Sequence, residues 1–252
     1  MLSRPTISKQ QIDQFKKDGF LLIKSGFNQK ETDMIESWAT ELAEMPEESG
    51  KHWVYHEKSQ LDSEVNLINR IENISPYHAG FAELADVLKY PMSQLFDEES
   101  VLFKEKINFK MPGGDGFKPH QDSQAGWQDY ADFFISVMVC IDEATIENGC
   151  LQLVSGFQNQ GLFREWEPLT DDDMADMDFV HYPTKPGDIV FFDCYAPHAS
   201  EPNLSDKIRR LYFATYNKSS EGDHLKKYYD DKFKTFPPDV DRELGKEYVF
   251  RV

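Results

Sequence analysis

His120 and Asp122 flank Gln121 in a His-x-Asp tripeptide, and His198 lies 76 residues beyond Asp122 and 11 before Arg209. Two imidazoles and one carboxylate are the protein ligands of a facial triad, which holds Fe(II) on one face and leaves the other open for a co-substrate and O2. Residues two apart at a strand end point to the same side, so His120 and Asp122 can bind one metal together. The third vertex cannot come from the same tripeptide, and His198 is expected on a distant strand. Each half of the pattern has a plain alternative: a surface-loop histidine beside a solvated aspartate, and a turn histidine after Ala196-Pro197 bonded to backbone. His52, His56, His78, His181 and His224 lack any such context and read as structural or solvated.

The elements that must position these residues change in texture near residue 101. Before it the chain reads as mainly helical. Ser8 or Thr6 can cap a helix carrying Ile12 and Phe15, Gly19 ends it, and 20–23 is a short buried strand. A second amphipathic helix is predicted from about 29 to 44, stopped near Pro46. Residues 46–75 read as irregular and charged, and 79–96 as helical. Short β-rich runs follow at 101–110, 133–141, 151–154, 188–192 and 210–216, separated by turns such as Met111-Pro112-Gly113-Gly114-Asp115-Gly116. The pattern predicts a mainly β fold with flanking helices, an antiparallel double-sheet barrel that binds a ligand at its mouth. A terminal helix is expected over 222–234, capped near Ser220, and the Pro237-Pro238 turn then leads to an ordered C-terminus. No repeat or linker divides the chain, so 1–252 reads as one domain: a helical flank (1–100), a β core (101–217) and a C-terminal helix and tail (218–252).

Composition narrows the function classes. A formal net charge of -18, from 45 acidic and 27 basic residues, argues against nucleic acid or an anionic membrane as a partner, because phosphate binding needs a basic footprint. Cys140, Cys150 and Cys194 sit in apolar runs, too few and too far apart for a disulfide framework, and read as buried reduced thiols. The N-terminus lacks a hydrophobic signal core, and no segment approaches the run of about 20 apolar residues that a membrane helix needs. A soluble cytoplasmic protein is expected, and its oligomeric state is left open.

Five pieces in order carry a resemblance: Ile107-Asn108-Phe109-Lys110, Pro119-His120-Gln121-Asp122, Glu147-Asn148-Gly149-Cys150-Leu151, Lys185-Pro186-Gly187-Asp188, and His198 through Ser205 with Arg209. Together they resemble the phytanoyl-CoA dioxygenase family of Fe(II)- and 2-oxoglutarate-dependent oxygenases. The resemblance implies a double-stranded β-helix, the jelly-roll (cupin-like) barrel, with Fe(II) on His120, Asp122 and His198. It also implies 2-oxoglutarate and O2 as co-substrates, and release of succinate and CO2 as a C–H bond is hydroxylated. Halogenating relatives have a small residue where this chain has Asp122, so the carboxylate implies hydroxylation. The family's usual Pro-Gly-Ser-His is here Ser155-Gly156-Phe157-Gln158, a departure in a loop.

Arg209 stands where the family places the arginine that pairs with the distal carboxylate of 2-oxoglutarate, a role suited to its planar fork. Strand alternation sends Arg210 to the opposite face, as a surface charge. Ser200 can donate its hydroxyl to the same carboxylate or bond its own backbone in a turn. Lys104, Lys106, Asn108 and Lys110 share one face of a strand, by default the solvated one. In related small-molecule hydroxylases the position matching Asn108 faces the co-substrate and that matching Lys106 borders the substrate. Gln124, Trp127 and Tyr130 are candidates for the pocket mouth or for packing, with Trp127 able to face a substrate ammonium.

The stretch 120–127, with Phe236-Pro237-Pro238 and the ending Tyr248-Val249-Phe250-Arg251-Val252, resembles a bacterial branch of 2-aminoethylphosphonate dioxygenases. That implies a small zwitterionic substrate hydroxylated at the carbon next to phosphorus, with Lys106 pairing with the phosphonate. The alternatives are hydroxylation of an amino acid or an ectoine-like solute, a non-catalytic jelly-roll binding module, and a zinc hydrolase built on the same three ligands.

Overall fold

The structure, a computed structural model, describes residues 1–249. Local chemistry sets the three helices of the first hundred residues. Ser8 caps α1 (Lys9–Asp18): its hydroxyl accepts the Gln11 N–H while the Gln11 side chain accepts the Ser8 N–H. Gly19 closes the helix at φ 81°, a left-handed conformation that glycine adopts without strain, and β1 (Phe20–Ile23) follows at once. Asn28 and Glu31 form the same reciprocal cap on α2 (Gln29–Glu44), and His78 caps α3 (Ala79–Phe96). All three helices match the sequence expectation.

Residues 46–75 do not. They contain β2 (Trp53–Lys58) and β3 (Asn66–Glu72), an antiparallel hairpin. Its apolar alternation is hidden because two of its polar residues are buried: Arg70 Nε donates to Glu72 Oε1 at 2.7 Å, and both residues are almost inaccessible. The remaining strands are β4 (Ser100–Lys110), β5 (Phe117–His120), β6 (Ile135–Cys140), β7 (Leu151–Leu153), β8 (Val180–Tyr182), β9 (Ile189–Asp193), β10 (His198–Ser200) and β11 (Arg209–Lys218). At three or four residues each, β5, β8 and β10 are too short for periodicity to reveal. The terminal helix is α4 (Leu225–Thr235), later than expected and without a side-chain cap, because Ser219–Glu221 forms its own 3-10 turn.

Two antiparallel sheets face one another, in the orders β1-β9-β6-β11-β4-β3-β2 and β5-β10-β7-β8. This is the jelly-roll arrangement expected from the sequence. Alternation along the central strands sorts side chains between two environments. Ile107, Phe109, Val137, Val139, Phe191, Tyr212 and Tyr216 pack under the helices. Met138, Val190, Phe192 and Leu211 point the other way, against Leu151 and Leu153 of the smaller sheet. Each such fully buried aliphatic or aromatic side chain contributes about 1.5–3 kcal/mol, so a one-residue slip of β4 or β11 is strongly disfavoured. A third aromatic cluster, with Trp53, Phe103, Trp127, Phe134, Tyr228 and Tyr229, joins α4 to the barrel end.

Candidate active site

β10 pairs with β5 so that His198 lies directly across from His120, and their ring centroids are 4.2 Å apart. Asp122 opens the 3-10 turn that follows β5. One ligand atom from each of His120, Asp122 and His198 falls within 4.8 Å of the others. The tautomers are set from behind: His120 Nδ1 bonds the Lys118 carbonyl at 2.7 Å and His198 Nδ1 the Ala196 carbonyl at 3.0 Å, which leaves both Nε2 atoms facing inward with lone pairs. Burial lowers the pKa of both imidazoles and keeps them neutral. Burial alone would raise the Asp122 carboxyl, but His198, Lys104, His120 and Lys106 hold it below its usual range. Two neutral imidazoles and an ionised carboxylate suit a divalent metal.

The cavity over this cluster has a blind end inside the barrel. Arg209 lines it at 2 % exposure, and its Nε and Nη2 atoms have no partner among the described residues. These are the two donors on one edge of the guanidinium. The neighbouring Arg210 shows that edge filled: its Nε and Nη2 donate to the two oxygens of Asp142 at 2.7 and 2.8 Å. Asn108 Oδ1 is likewise buried without a partner, and Ser200 accepts from Lys110 Nζ at 2.8 Å. The blind end therefore fits a carboxylate bound bidentately.

At the open end, Lys104 and Lys106 project from β4 beside His120 and Asp122. Tyr228 and Lys232 of α4 wall the outer chamber. Burial pushes Lys104 down to about 7, against the pull of Asp122, and lowers Lys106 as well.

Set beside known proteins, the chain matches the Phytanoyl-CoA dioxygenase (PhyH) family over residues 15–211. The chain belongs to the phytanoyl-CoA dioxygenase family. It is 41% identical over 246 residues to a 2-aminoethylphosphonate dioxygenase from an uncultured bacterium, across 96% of this chain and 93% of that protein. It is 35% identical over 235 residues to a methylphosphonate hydroxylase from Gimesia maris, across 92% of this chain and 88% of that one. Among solved structures it resembles EctD from S. alaskensis, crystallised with 2-oxoglutarate and 5-hydroxyectoine, at a TM-score of 0.75 and 23% identity over 85% of this chain and 77% of that one. This member of the phytanoyl-CoA dioxygenase family is a dioxygenase with a jelly-roll fold.

Within this family frame, the structure brings His120, Asp122, His198, Arg209, Ser200, Asn108 and Lys106 into one cavity. Gln124 does not join them. It is fully buried, its Oε1 accepts the Gln121 N–H at 2.6 Å and its Nε2 donates to the Glu167 carbonyl, so it braces the loop behind the tripeptide. Trp127 borders the outer chamber at 1 % exposure, but Lys104 Nζ lies over its ring, 3.9 Å from the centroid, so that face meets a cation of the chain itself. Tyr130 does line the outer chamber. Arg210 is not a surface charge: it is 7 % exposed, because the face opposite Arg209 is covered by α2, whose Thr40 and Glu36 it contacts. Lys104, Lys106, Asn108 and Lys110 line the barrel interior rather than a solvated face. The departure at 155–158 places Gln158 where its amide caps the last carbonyls of α1.

Sequence reasoning passed over Ser136, whose hydroxyl donates to Asp122 Oδ2 at 2.8 Å. A lone hydroxyl in the run Ile135-Ser136-Val137-Met138-Val139 was its only signal. Lys232 was also missed, because nothing in Lys226-Lys227-Tyr228-Tyr229-Asp230-Asp231-Lys232 distinguishes it from an exposed helical lysine.

Proposed function

We propose that this dioxygenase holds Fe(II) on His120, Asp122 and His198, binds 2-oxoglutarate through Arg209, and hydroxylates a small phosphonate. The favoured substrate is 2-aminoethylphosphonate, at the carbon next to phosphorus. The observation that carries the reading is the free Nε and Nη2 edge of the buried Arg209 guanidinium, in the same cavity as the three-ligand cluster. A binding module that holds only a metal has no use for that edge. The phosphonate is supported by the names of the two relatives above and by Lys104 and Lys106 at the open end.

When bound, iron with 2-oxoglutarate and O2 supplies the oxidising power for the C–H bond, with succinate and CO2 released. The chain's own residues do the rest. Arg209 fixes the distal carboxylate, with Asn108 and Ser200 beside it, and so sets the depth of the co-substrate. Leu151, Phe192, Leu211 and Phe213 line the cavity and exclude water from the reacting carbon. Lys106 holds the substrate oxyanion so that the adjacent carbon faces the metal. An ectoine-like solute or a neutral amino acid carries only one carboxylate, which two lysines over-serve.

The three cysteines are buried and free, in keeping with a reducing cytoplasm. Among the described residues no helix is long and apolar enough to cross a membrane. The helices, barrel and tail over 1–252 are read as one domain.

The test is anaerobic loading with Fe(II) and 2-oxoglutarate, then O2, with succinate followed across 2-aminoethylphosphonate, methylphosphonate, ectoine and amino acids. Succinate formed one for one with a hydroxylated phosphonate is the expected result. Coupling to ectoine instead would replace the substrate. A metal site indifferent to 2-oxoglutarate, or 2-oxoglutarate binding that survives Arg209→Ala, would sink the oxygenase assignment.

A further inference from the structure

Lys104, Lys106 and Lys232 converge on the outer chamber from two elements, the first two from β4 and the third from α4. Burial first, and like charge after it, lower their proton affinity: Lys106 and Lys232 act on Lys104, and Lys106 acts on Lys232. The carboxylates at hand do not balance them. Glu72 is shared between Lys232 and Arg70, and Asp122 belongs to the metal cluster. Lys104 and Lys106 form no ion pair and no hydrogen bond among the described residues; their contacts are with aromatic faces, Trp127 and Tyr228 for Lys104, Phe117 and Phe213 for Lys106. In a chain with 45 acidic and 27 basic residues, two half-buried ammonium groups without a carboxylate are not an accident of composition. Burying unpaired charge destabilises the fold, so the arrangement calls for an anion brought from outside.

The number of donors says which anion. Each ammonium carries three N–H donors and no acceptor. A carboxylate offers two oxygens and one charge, a sulfonate three oxygens and one charge, a phosphonate three oxygens and up to two charges. Resting on the proposed reaction, we propose that Lys104, Lys106 and Lys232 together form a subsite for a three-oxygen dianion, and that it selects a phosphonate over the equally shaped sulfonate. Trp127 is then the floor under Lys104, and α4, outside the barrel, determines specificity through Lys232.

Calorimetric titration of the anaerobic Fe(II)- and 2-oxoglutarate-loaded protein tests this with three matched ligands: 2-aminoethylphosphonate, taurine (its sulfonate isostere) and 3-aminopropanoate (its carboxylate counterpart). The expected result is phosphonate binding at least about tenfold tighter than taurine, a ratio that falls toward one in Lys104→Met and in Lys232→Met. Lys226→Met, on the exposed side of the same helix, keeps the wild-type ratio. Lys104→Met should also melt at a higher temperature than wild type, since it removes a half-buried cation that has no carboxylate partner; a structural lysine would give the opposite shift. Should Lys232→Met not fold, Lys232→Gln, which keeps an N–H donor for Glu72 and leaves the Arg70–Glu72 pair in place, removes the same charge and gives the same readout. A wild-type ratio near one, or a ratio unchanged in Lys104→Met, overturns the subsite. The two proposals fail separately: a lysine-dependent ratio without phosphonate-coupled succinate leaves the subsite standing and removes the reaction, and coupled succinate with a lysine-independent ratio does the reverse.

Discussion

Ser136 on β6 donates to Asp122 Oδ2 at 2.8 Å, and its own oxygen lies 2.9 Å from Thr215 Oγ1 on β11. Asp122 Oδ1 is left on the histidine side, 3.9 Å from His198 Nε2. One buried hydroxyl, itself bonded to a second on the adjacent strand, thus occupies one carboxylate oxygen and leaves the other facing the histidines, which favours a one-oxygen ligand and keeps coordination positions open for co-substrate and O2.

Ser136→Ala frees Oδ2 to turn toward the metal. The expected outcome is a loss of metal affinity on the order of 10–100-fold, with Thr215→Val weaker in the same direction. Competitive Co(II) titration under nitrogen measures it, and an unchanged affinity in Ser136→Ala would show the hydroxyl to be packing only.

Arg209 and Arg210 are sequence neighbours with opposite fates. Arg210 closes a buried ion pair with Asp142 and reaches Thr40 and Glu36 of α2, so Arg210→Met strands a carboxylate and should cost about 3–5 kcal/mol. Replacing both partners with apolar residues should recover most of it. Arg209 has no ion-pair partner to strand, so Arg209→Met should melt at or above wild type while losing 2-oxoglutarate binding. Thermal melts of the two variants side by side decide this; a reversed order would refute it.

His56 on β2 bonds Asp239, just beyond α4, through Nδ1 at 3.1 Å, and lies 3.3 Å from Glu47. The Asp239 hydrogen bond raises its pKa above 6.5, with burial opposing and Glu47 assisting. Because the folded value is the higher one, the pair's stabilisation is complete below the unfolded value of 6.5 and is lost as pH rises through the folded value. The pair is partly exposed, so the effect is below about 1 kcal/mol. Melting temperature should decline over that window in the wild type and stay flatter in His56→Gln; parallel curves would remove His56 as the source.

Much of the chemistry was legible because the metal-ligand residue types are few and their spacing is rare. The helices were legible because caps and 3.6-residue periodicity are local. The β2–β3 hairpin was not, since its strands bury Arg70 and Glu72, and buried paired charges read as a solvated loop. Gln124 was misplaced for a related reason: a buried amide bonded to backbone has the same letter as one that faces a ligand.

By itself the sequence determined the jelly-roll class and the three helices of the flank, and it singled out His120, Asp122, His198 and Arg209, which the structure brings to one cavity. Those follow from local propensity and from residue types that few other chemistries require. Only the tertiary structure decided that the Lys104, Lys106, Asn108 and Lys110 face turns inward, that Ser136 stands behind Asp122, and that Lys232 of α4 completes the outer chamber. Alternation says which residues share a face but not what covers it. The face of β4 is assigned by its register with β11 and by the sheet laid across it, contacts between residues as far apart as Lys104 and Thr215.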